Sequence, residues 1–263
     1  MALQCPIGFD VPKLRAHVRD TYRTLAESPD AELHFHRGPR YAAELLQYDA
    51  DELAALPELA TARFAGVGNP LALAPIAQGA TVLDHACGAG TDLLLAARRV
   101  GPEGRAIGID MTAAMLACAR GAADLAGLGA RVTTELGVME ELPIDDESVD
   151  YVISNGVVNL SPDKERVFAE IARVLRPGGR LLLADVVVRR ELRPEVREAP
   201  ELWAACVGGA LRTEELFALA ASVGLGEARL GDRYACFRGT SAEARVSKDL
   251  DLGAVGFTAT KTR

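Results

Sequence analysis

The sequence has no uninterrupted apolar run near the roughly 18 residues that a bilayer-crossing helix needs, so no membrane span is expected. Nor do its first residues pair a basic cluster with an apolar segment and a cleavage site, so no secretory leader is expected. Cysteine is scarce. The five, Cys5, Cys87, Cys118, Cys206 and Cys236, are odd in number and irregularly spaced, which argues against a disulfide framework and for reduced thiols in the cytoplasm. Positive charge is short too: 29 Lys and Arg stand against 37 Asp and Glu, for a formal net charge of -8. A nucleic-acid partner would need a basic footprint, so a small-molecule partner is expected, for a monomer or homodimer. Internal repeats and low-complexity tracts are absent.

What is present alternates between strand and helix. With 49% hydrophobic residues among 263, the chain can bury a full core. Residues 1 to about 75 read as a helical cap or lid. It opens with an amphipathic helix over Lys13 to Glu27, carrying Leu14, Val18, Tyr22 and Leu25 a turn apart, followed by short helices at Tyr41 to Tyr48, Asp51 to Leu56 and Glu58 to Phe64. From about 76 to 263 strands are expected at Thr81 to His85, Arg105 to Asp110, Arg131 to Leu136, Val149 to Ser154 and Arg180 to Val188. This predicts an α/β, Rossmann-like sheet, mostly parallel, with helices on both faces. One helix is expected at Asp163 to Leu175, stopped by Pro177-Gly178-Gly179. An insert over about 189 to 212, helices near Pro200 to Val207 and Thr213 to Val223, and strands near Glu227 to Phe237 and Val255 to Lys261 complete seven strands, one of them antiparallel.

The run Thr81-Val-Leu-Asp-His-Ala-Cys-Gly-Ala-Gly90, followed by Gly104-Arg-Ala-Ile-Gly-Ile-Asp110, describes a nucleotide-type site. A strand ends in an acid, turns on Gly88 and Gly90 and feeds a helix; a second strand ends in Asp110, where a carboxylate can take both hydroxyls of a ribose. The third glycine of a dinucleotide fingerprint is missing, since Leu93 stands there. Asp84 and Asp92 flank the loop and would repel a pyrophosphate but suit an ammonium or sulfonium. The cofactor indicated is S-adenosylmethionine, leaving as S-adenosylhomocysteine. Asp84 can also cap the next helix and Asp92 can simply favour a helix N-terminus.

Asp84 to Gly90, Gly108-Ile-Asp-Met111, Glu140-Glu-Leu-Pro143, Asp150-Tyr-Val-Ile-Ser-Asn155 and Arg173-Val-Leu-Arg-Pro-Gly-Gly179 stand in the order of class I S-adenosylmethionine-dependent methyltransferases, which the chain resembles. Phe64-Ala-Gly-Val-Gly-Asn-Pro70, Asp110-Met-Thr112, Asn159-Leu-Ser-Pro-Asp-Lys164 and Trp203-Ala-Ala-Cys-Val-Gly-Gly209 are similar to the arsenite methyltransferase branch. That branch holds trivalent arsenic through cysteine thiolates, one in the loop after the fourth strand. Here that place is Gly156, which opens room for a bulkier acceptor, while Cys206 matches a later binding cysteine.

Beside Asp84, Gly88, Gly90, Asp92 and Asp110, the expected cofactor wall includes Ala86, Met111, Val138, Met139, Glu140 and Ser154. Met139 can cover an adenine ring and the carboxylate or backbone at Glu140 can take its exocyclic amine, although Glu140 and Glu141 also suit a solvated turn. The resemblance puts Tyr22 near the cofactor and Asn155, Gly156 and Cys206 near the acceptor; Tyr22 and Cys206 also suit ordinary core. His34 and His36 are candidate general bases and Arg37 a candidate carboxylate clamp, against a plainer reading as backbone-bonded surface groups. No metal site is expected. The reaction implied is in-line methyl transfer to a small molecule with a soft nucleophile (sulfur, selenium or a metalloid), with oxygen, nitrogen and carbon open. Its rivals are a silent S-adenosylmethionine-binding protein and a nicotinamide-dependent oxidoreductase.

Overall fold

Central strands that are buried on both sides read as continuous apolar runs, and the seven-stranded sheet of the computed structural model shows why. The structure describes residues 9–33, 35–199, 202–203, 206–240, 243 and 250–262. Strands β1 (Thr81–His85), β2 (Arg105–Asp110), β3 (Val132–Leu136), β4 (Val149–Asn155), β5 (Leu175–Val187), β6 (Leu225–Tyr234) and β7 (Gly253–Lys261) lie in the order β3-β2-β1-β4-β5-β7-β6. Val82, Ile153 and Leu182 face one side of the sheet, whereas Leu83, Val152, Leu181 and Leu183 face the other, and all are fully buried. All pairings from β3 to β5 are parallel; β7 runs antiparallel to both β5 and β6.

Because β1 pairs with both β2 and β4, the connections leave it in opposite directions, and a crevice opens beyond the carboxyl ends of β1 and β4. Helices α5 (Thr91–Arg99) and α6 (Ala113–Leu125) follow β1 and β2; α7 (Lys164–Val174) and α9 (Thr213–Ser222) cover the opposite face. On the crevice side lies the N-terminal segment, α1 (Val11–Glu27), α2 (Gly38–Leu46), α3 (Ala50–Ala54) and α4 (Glu58–Thr61). Its Leu14, Val18, Tyr41, Leu46 and Leu53 join one core with Leu93 to Ala97 of α5, so cap and sheet share buried surface. Arg99 ties them further, reaching Glu52 at 3.0 Å and the Leu71 carbonyl at 2.5 Å.

The structure departs from the expected pattern at the end of α7 and in the insert. Helix α7 stops at Val174, before Pro177-Gly178-Gly179, because Leu175 is already extended and pairs with Val149. Sheet pairing, not the proline, ends that helix. The insert contains a short helix, α8 (Pro194–Arg197), that hydrophobic periodicity did not signal. Pro200, Glu201, Ala204 and Ala205 of the helix expected near 200–207 lie outside the described residues, but Trp203 is fully buried, with its indole donating to the Arg197 carbonyl at 2.7 Å. The Lys164 ammonium lies 4.4 Å from that ring's centroid.

Candidate active site

The turn after β1 depends on backbone freedom. Gly88 and Gly90 have φ of 53° and 93°, and a side chain on Gly90 would meet Ala119 at 3.1 Å. Leu93 is fully buried; a side chain on Gly108 would meet it at 2.7 Å, so β2 rather than α5 supplies the glycine that lets strand and helix pack. This is the physical counterpart of the missing third glycine.

Three carboxylates converge on the cleft that opens here. Asp110 accepts from the Gly88 backbone amide at 2.9 Å and from that of Thr112 at 2.8 Å. Asp92 accepts from the Tyr48 hydroxyl at 2.6 Å and the Asn155 amide at 2.9 Å. Asp84 Oδ2 is buried without a partner, as is Thr91 Oγ1. Burial pushes all three carboxyls above the usual range, and at Asp84 the charges of Asp92 and Asp110 add to it. A cation entering this wall would relieve the repulsion.

Beyond β3, Gly137 to Glu140 form the next wall. Glu140 accepts from Ser161 Oγ at 2.7 Å and pairs with Arg15 of α1 at 3.4 Å, which fastens the cap to this loop. Behind it His85 is fully buried with Nδ1 3.4 Å from Ser154 Oγ; burial lowers its pKa to about 4, so the ring is neutral at physiological pH.

The remaining wall is largely apolar: Leu14, Val18 and Tyr22 from α1, Phe64 to Gly66, and Val157 with Leu160. Tyr22 stacks on Phe35 with centroids 6.0 Å apart. Asn155, at the end of β4, accepts from the amides of Val67 and Gly68 and donates to the Gly68 carbonyl as well as to Asp92, so its polar atoms are taken within the protein. Just beyond, Cys206 Sγ lies 4.0 Å from the Gly156 carbonyl. Asn159 Nδ2 holds the same carbonyl at 3.0 Å and donates to Asp185 at 2.7 Å. The Asp185 carboxylate also takes the amides of Val158, Asn159 and Val186. Burial raises its pKa to about 6, against the pull of those donors.

Residues 76–230 match the family model described as a methyltransferase domain. An arsenite methyltransferase of Halobacterium salinarum is 46% identical over 178 residues, 67% of this chain and 45% of that protein. The human arsenite methyltransferase is 36% identical, over 73% of this chain and 51% of its own length. Among solved structures, an arsenic(III) S-adenosylmethionine methyltransferase from Chlamydomonas reinhardtii superposes with a TM-score of 0.64 at 32% identity, covering 87% of this chain and 75% of that one. The chain belongs to the class I S-adenosylmethionine-dependent methyltransferases, on the arsenite branch. It spans about half the length of the curated relatives it matches.

Membership in this methyltransferase family sets aside the nicotinamide reading. Of the residues singled out from sequence, Asp84, Ala86, Gly88, Gly90, Asp92, Asp110, Met111, Val138, Met139 and Glu140 line the one cleft, joined by Tyr22 and Asn155. Ser154 does not line it: alternation along β4 turns its hydroxyl to His85. Gly156 and Cys206 do not line it either, and a side chain on Gly156 would meet Val67 at 3.0 Å. His36 and Arg37 do not line the cleft; His36 Nε2 donates to the Arg238 carbonyl at 2.7 Å and its ring packs on Tyr41. His34 lies outside the described residues. Sequence reasoning missed Arg15, Arg63, Thr91 and Ser161 as wall residues. Only the apolar stripe of α1 pointed toward that contact. Among the described residues no helix is long and apolar enough to cross a membrane.

Proposed function

We propose that this protein transfers the methyl group of S-adenosylmethionine to a small, largely apolar molecule bearing a soft nucleophile such as a thiol or selenol. The residues fit the cofactor. Asp110, which takes the amides of Gly88 and Thr112 and the Thr112 hydroxyl, keeps acceptor capacity for a ribose hydroxyl, and the unpartnered Asp84 Oδ2 and Thr91 Oγ1 offer acceptors to an ammonium. Met139 and Val138 provide the apolar wall for adenine. The cofactor supplies an activated methyl on a sulfonium. The chain's part is to hold the cationic end against Asp84 and Asp92, to seat the acceptor against Tyr22, Phe64, Val157 and Leu160, and to keep water out beneath the cap.

The single observation that carries the acceptor class is the chemistry of the wall. Besides its carboxylates and the arginines Arg15 and Arg63, the wall carries only the Cys87 thiol and the Tyr22 phenol as titratable groups, both held protonated by burial; among the described residues no imidazole lines it, and His36 faces elsewhere. A thiol, with a pKa near 8.5, ionises without an enzymic base, whereas an alcohol does not. Arsenite is disfavoured as acceptor because Gly156 carries no thiol and burial, reinforced by Asp185, holds Cys206 as a neutral thiol with its pKa raised to about 12. One observation favours arsenite as a second reading: Cys236 is buried in the same core cluster as Cys206, whose charge helps to raise the Cys236 thiol, so two sulfurs lie in this region. The test is S-adenosylhomocysteine release, with mass-spectrometric identification of the product, against small thiols, selenols, phenols and arsenite. Methylated thiol or selenol is the expected product. Binding without turnover on any acceptor would replace this reading with that of a silent cofactor-binding protein.

A further inference from the structure

The cap meets the cofactor loop in a polar knot centred on a tyrosine of the cap. Tyr48, in the turn after α2, is 6% exposed, and its hydroxyl lies 2.6 Å from Asp92 Oδ1. The Asn155 amide reaches Asp92 Oδ2 at 2.9 Å and the Tyr48 oxygen at 3.1 Å, closing a triangle between cap, loop and β4. Asn155 also grips the backbone of Val67 and Gly68, at the end of the cap segment. The Tyr48 ring packs edge-on against Phe64, 5.1 Å between centroids, and Phe64 lines the cleft. An ionised carboxylate has no proton to give, so in this contact the phenol must be the donor.

We propose that Tyr48 is a positioning residue for the cofactor: reaching in from the cap, its hydroxyl holds Asp92 ionised and in place on the cleft wall, so that the grip on the cationic end of S-adenosylmethionine depends on a seated cap. The proposal rests on the cofactor reading above and on no particular acceptor. Asp92 also faces Asp84 of β1 and Arg99 of α5; Asp84 in turn faces Asp110 of β2, and Tyr48 faces Asp84 and Tyr234 of β6. Burial, then the charge of Asp92, raises the Tyr48 phenol well above its ordinary range, so it keeps the proton it donates. Burial works to protonate Asp92 while the bonds from Asn155 and Tyr48 and the charge of Arg99 work against it. Without the phenol, Asp92 and its neighbour Asp84 retain a proton to higher pH, and the attraction for a cation fades.

The experiment is calorimetric titration of S-adenosylmethionine into the full chain and its Tyr48→Phe, Asp92→Asn and doubly substituted forms, from about pH 6 to about pH 9, with melting curves as a folding control. Tyr48→Phe is expected to weaken binding about tenfold near neutrality, the scale of one hydrogen bond to a charged group, and to recover as pH rises. Asp92→Asn is expected to weaken binding across the range, and Tyr48→Phe to add nothing in its background. A Tyr48→Phe protein with the parent pH profile, whether unchanged or uniformly weaker, would overturn the proposal, as would additive losses in the double variant. Should Tyr48→Phe fail to fold, infrared difference spectra of the parent protein answer the same question. At neutral pH and without cofactor the parent protein should show an Asp92 carboxylate band, identified by its loss in Asp92→Asn; a protonated-carboxyl band lost in that variant would overturn the proposal. No binding by the parent protein at any pH would overturn the cofactor reading together with it.

Discussion

Asp84 and Asp185 stand at the ends of β1 and in β5, both almost wholly buried, yet they are treated in opposite ways. Asp185 takes three backbone amides and the Asn159 side chain, and its oxygens are used up in holding the turn after β4. Asp84 has one oxygen with no partner and two further carboxylates for neighbours. A buried charge that the protein satisfies is scaffold, whereas one it leaves unsatisfied, beside like charge, is a place kept for a ligand. On the proposed reading the site therefore has an electrostatically incomplete cofactor end at Asp84 and, beside the cleft rather than lining it, a closed scaffold around Asp185, Asn159 and Gly156.

If that division holds, substitutions at the two ends should separate cofactor binding from the rest. The largest effect is expected from Asp110→Ala, which removes the ribose acceptors and frees the amides of Gly88 and Thr112; S-adenosylmethionine affinity should fall by about a hundredfold or more in calorimetry, on the scale of two hydrogen bonds to a charged group. Next is pH. The carboxyls of Asp84 and Asp110 are raised in the ligand-free protein, and a cation favours their ionised form. Binding should therefore release protons, and affinity should climb with pH through the raised range, by up to about tenfold per unit for each proton released. A proton count near zero, read from titrations in buffers of different ionisation enthalpy, would break the comparison at its cofactor end.

At the other end, Asn159→Ala leaves Asp185 without its side-chain donor and the Gly156 carbonyl without its amide partner. Stability should drop by about 2 kcal/mol in chemical denaturation, while S-adenosylmethionine affinity stays within about twofold. The smallest effect is expected from Gly156→Ala, since its φ of 74° penalises any side chain and Val67 must give way: about 1 kcal/mol of stability, read as a lower melting temperature, with cofactor affinity unmoved. A loss of cofactor affinity in either variant would show the two ends to be one unit.

The strands and the glycine turn that border the cleft were legible because their signals are local. Val82-Leu83 and the glycines that punctuate it give β1 its observed bounds, β2 follows the same logic to Asp110, and the cofactor-wall residues singled out from motif position share one cleft, apart from Ser154. The contacts of the cap were not, because they are long-range. Tyr48 meets Asn155 across 107 residues and His36 meets the Arg238 carbonyl across 202, and neither periodicity nor spacing encodes such pairings. A spacing of two between His34 and His36 looked like chemistry, yet the packing of the cap aims His36 at a backbone carbonyl. The early start of β5 was hidden similarly, because pairing of Leu175 with Val149 overrides the helix-stop pattern that follows it.

The account is tested most directly by the rate of S-adenosylhomocysteine formation when the cofactor-saturated protein is offered, in parallel, a small apolar thiol and arsenite. Faster turnover on the thiol, with an arsenite rate indifferent to Cys236→Ser, is the predicted result. Faster turnover on arsenite that collapses in Cys206→Ser and Cys236→Ser would contradict it, and would show that the acceptor end still holds a metalloid through a rearranged pair of sulfurs.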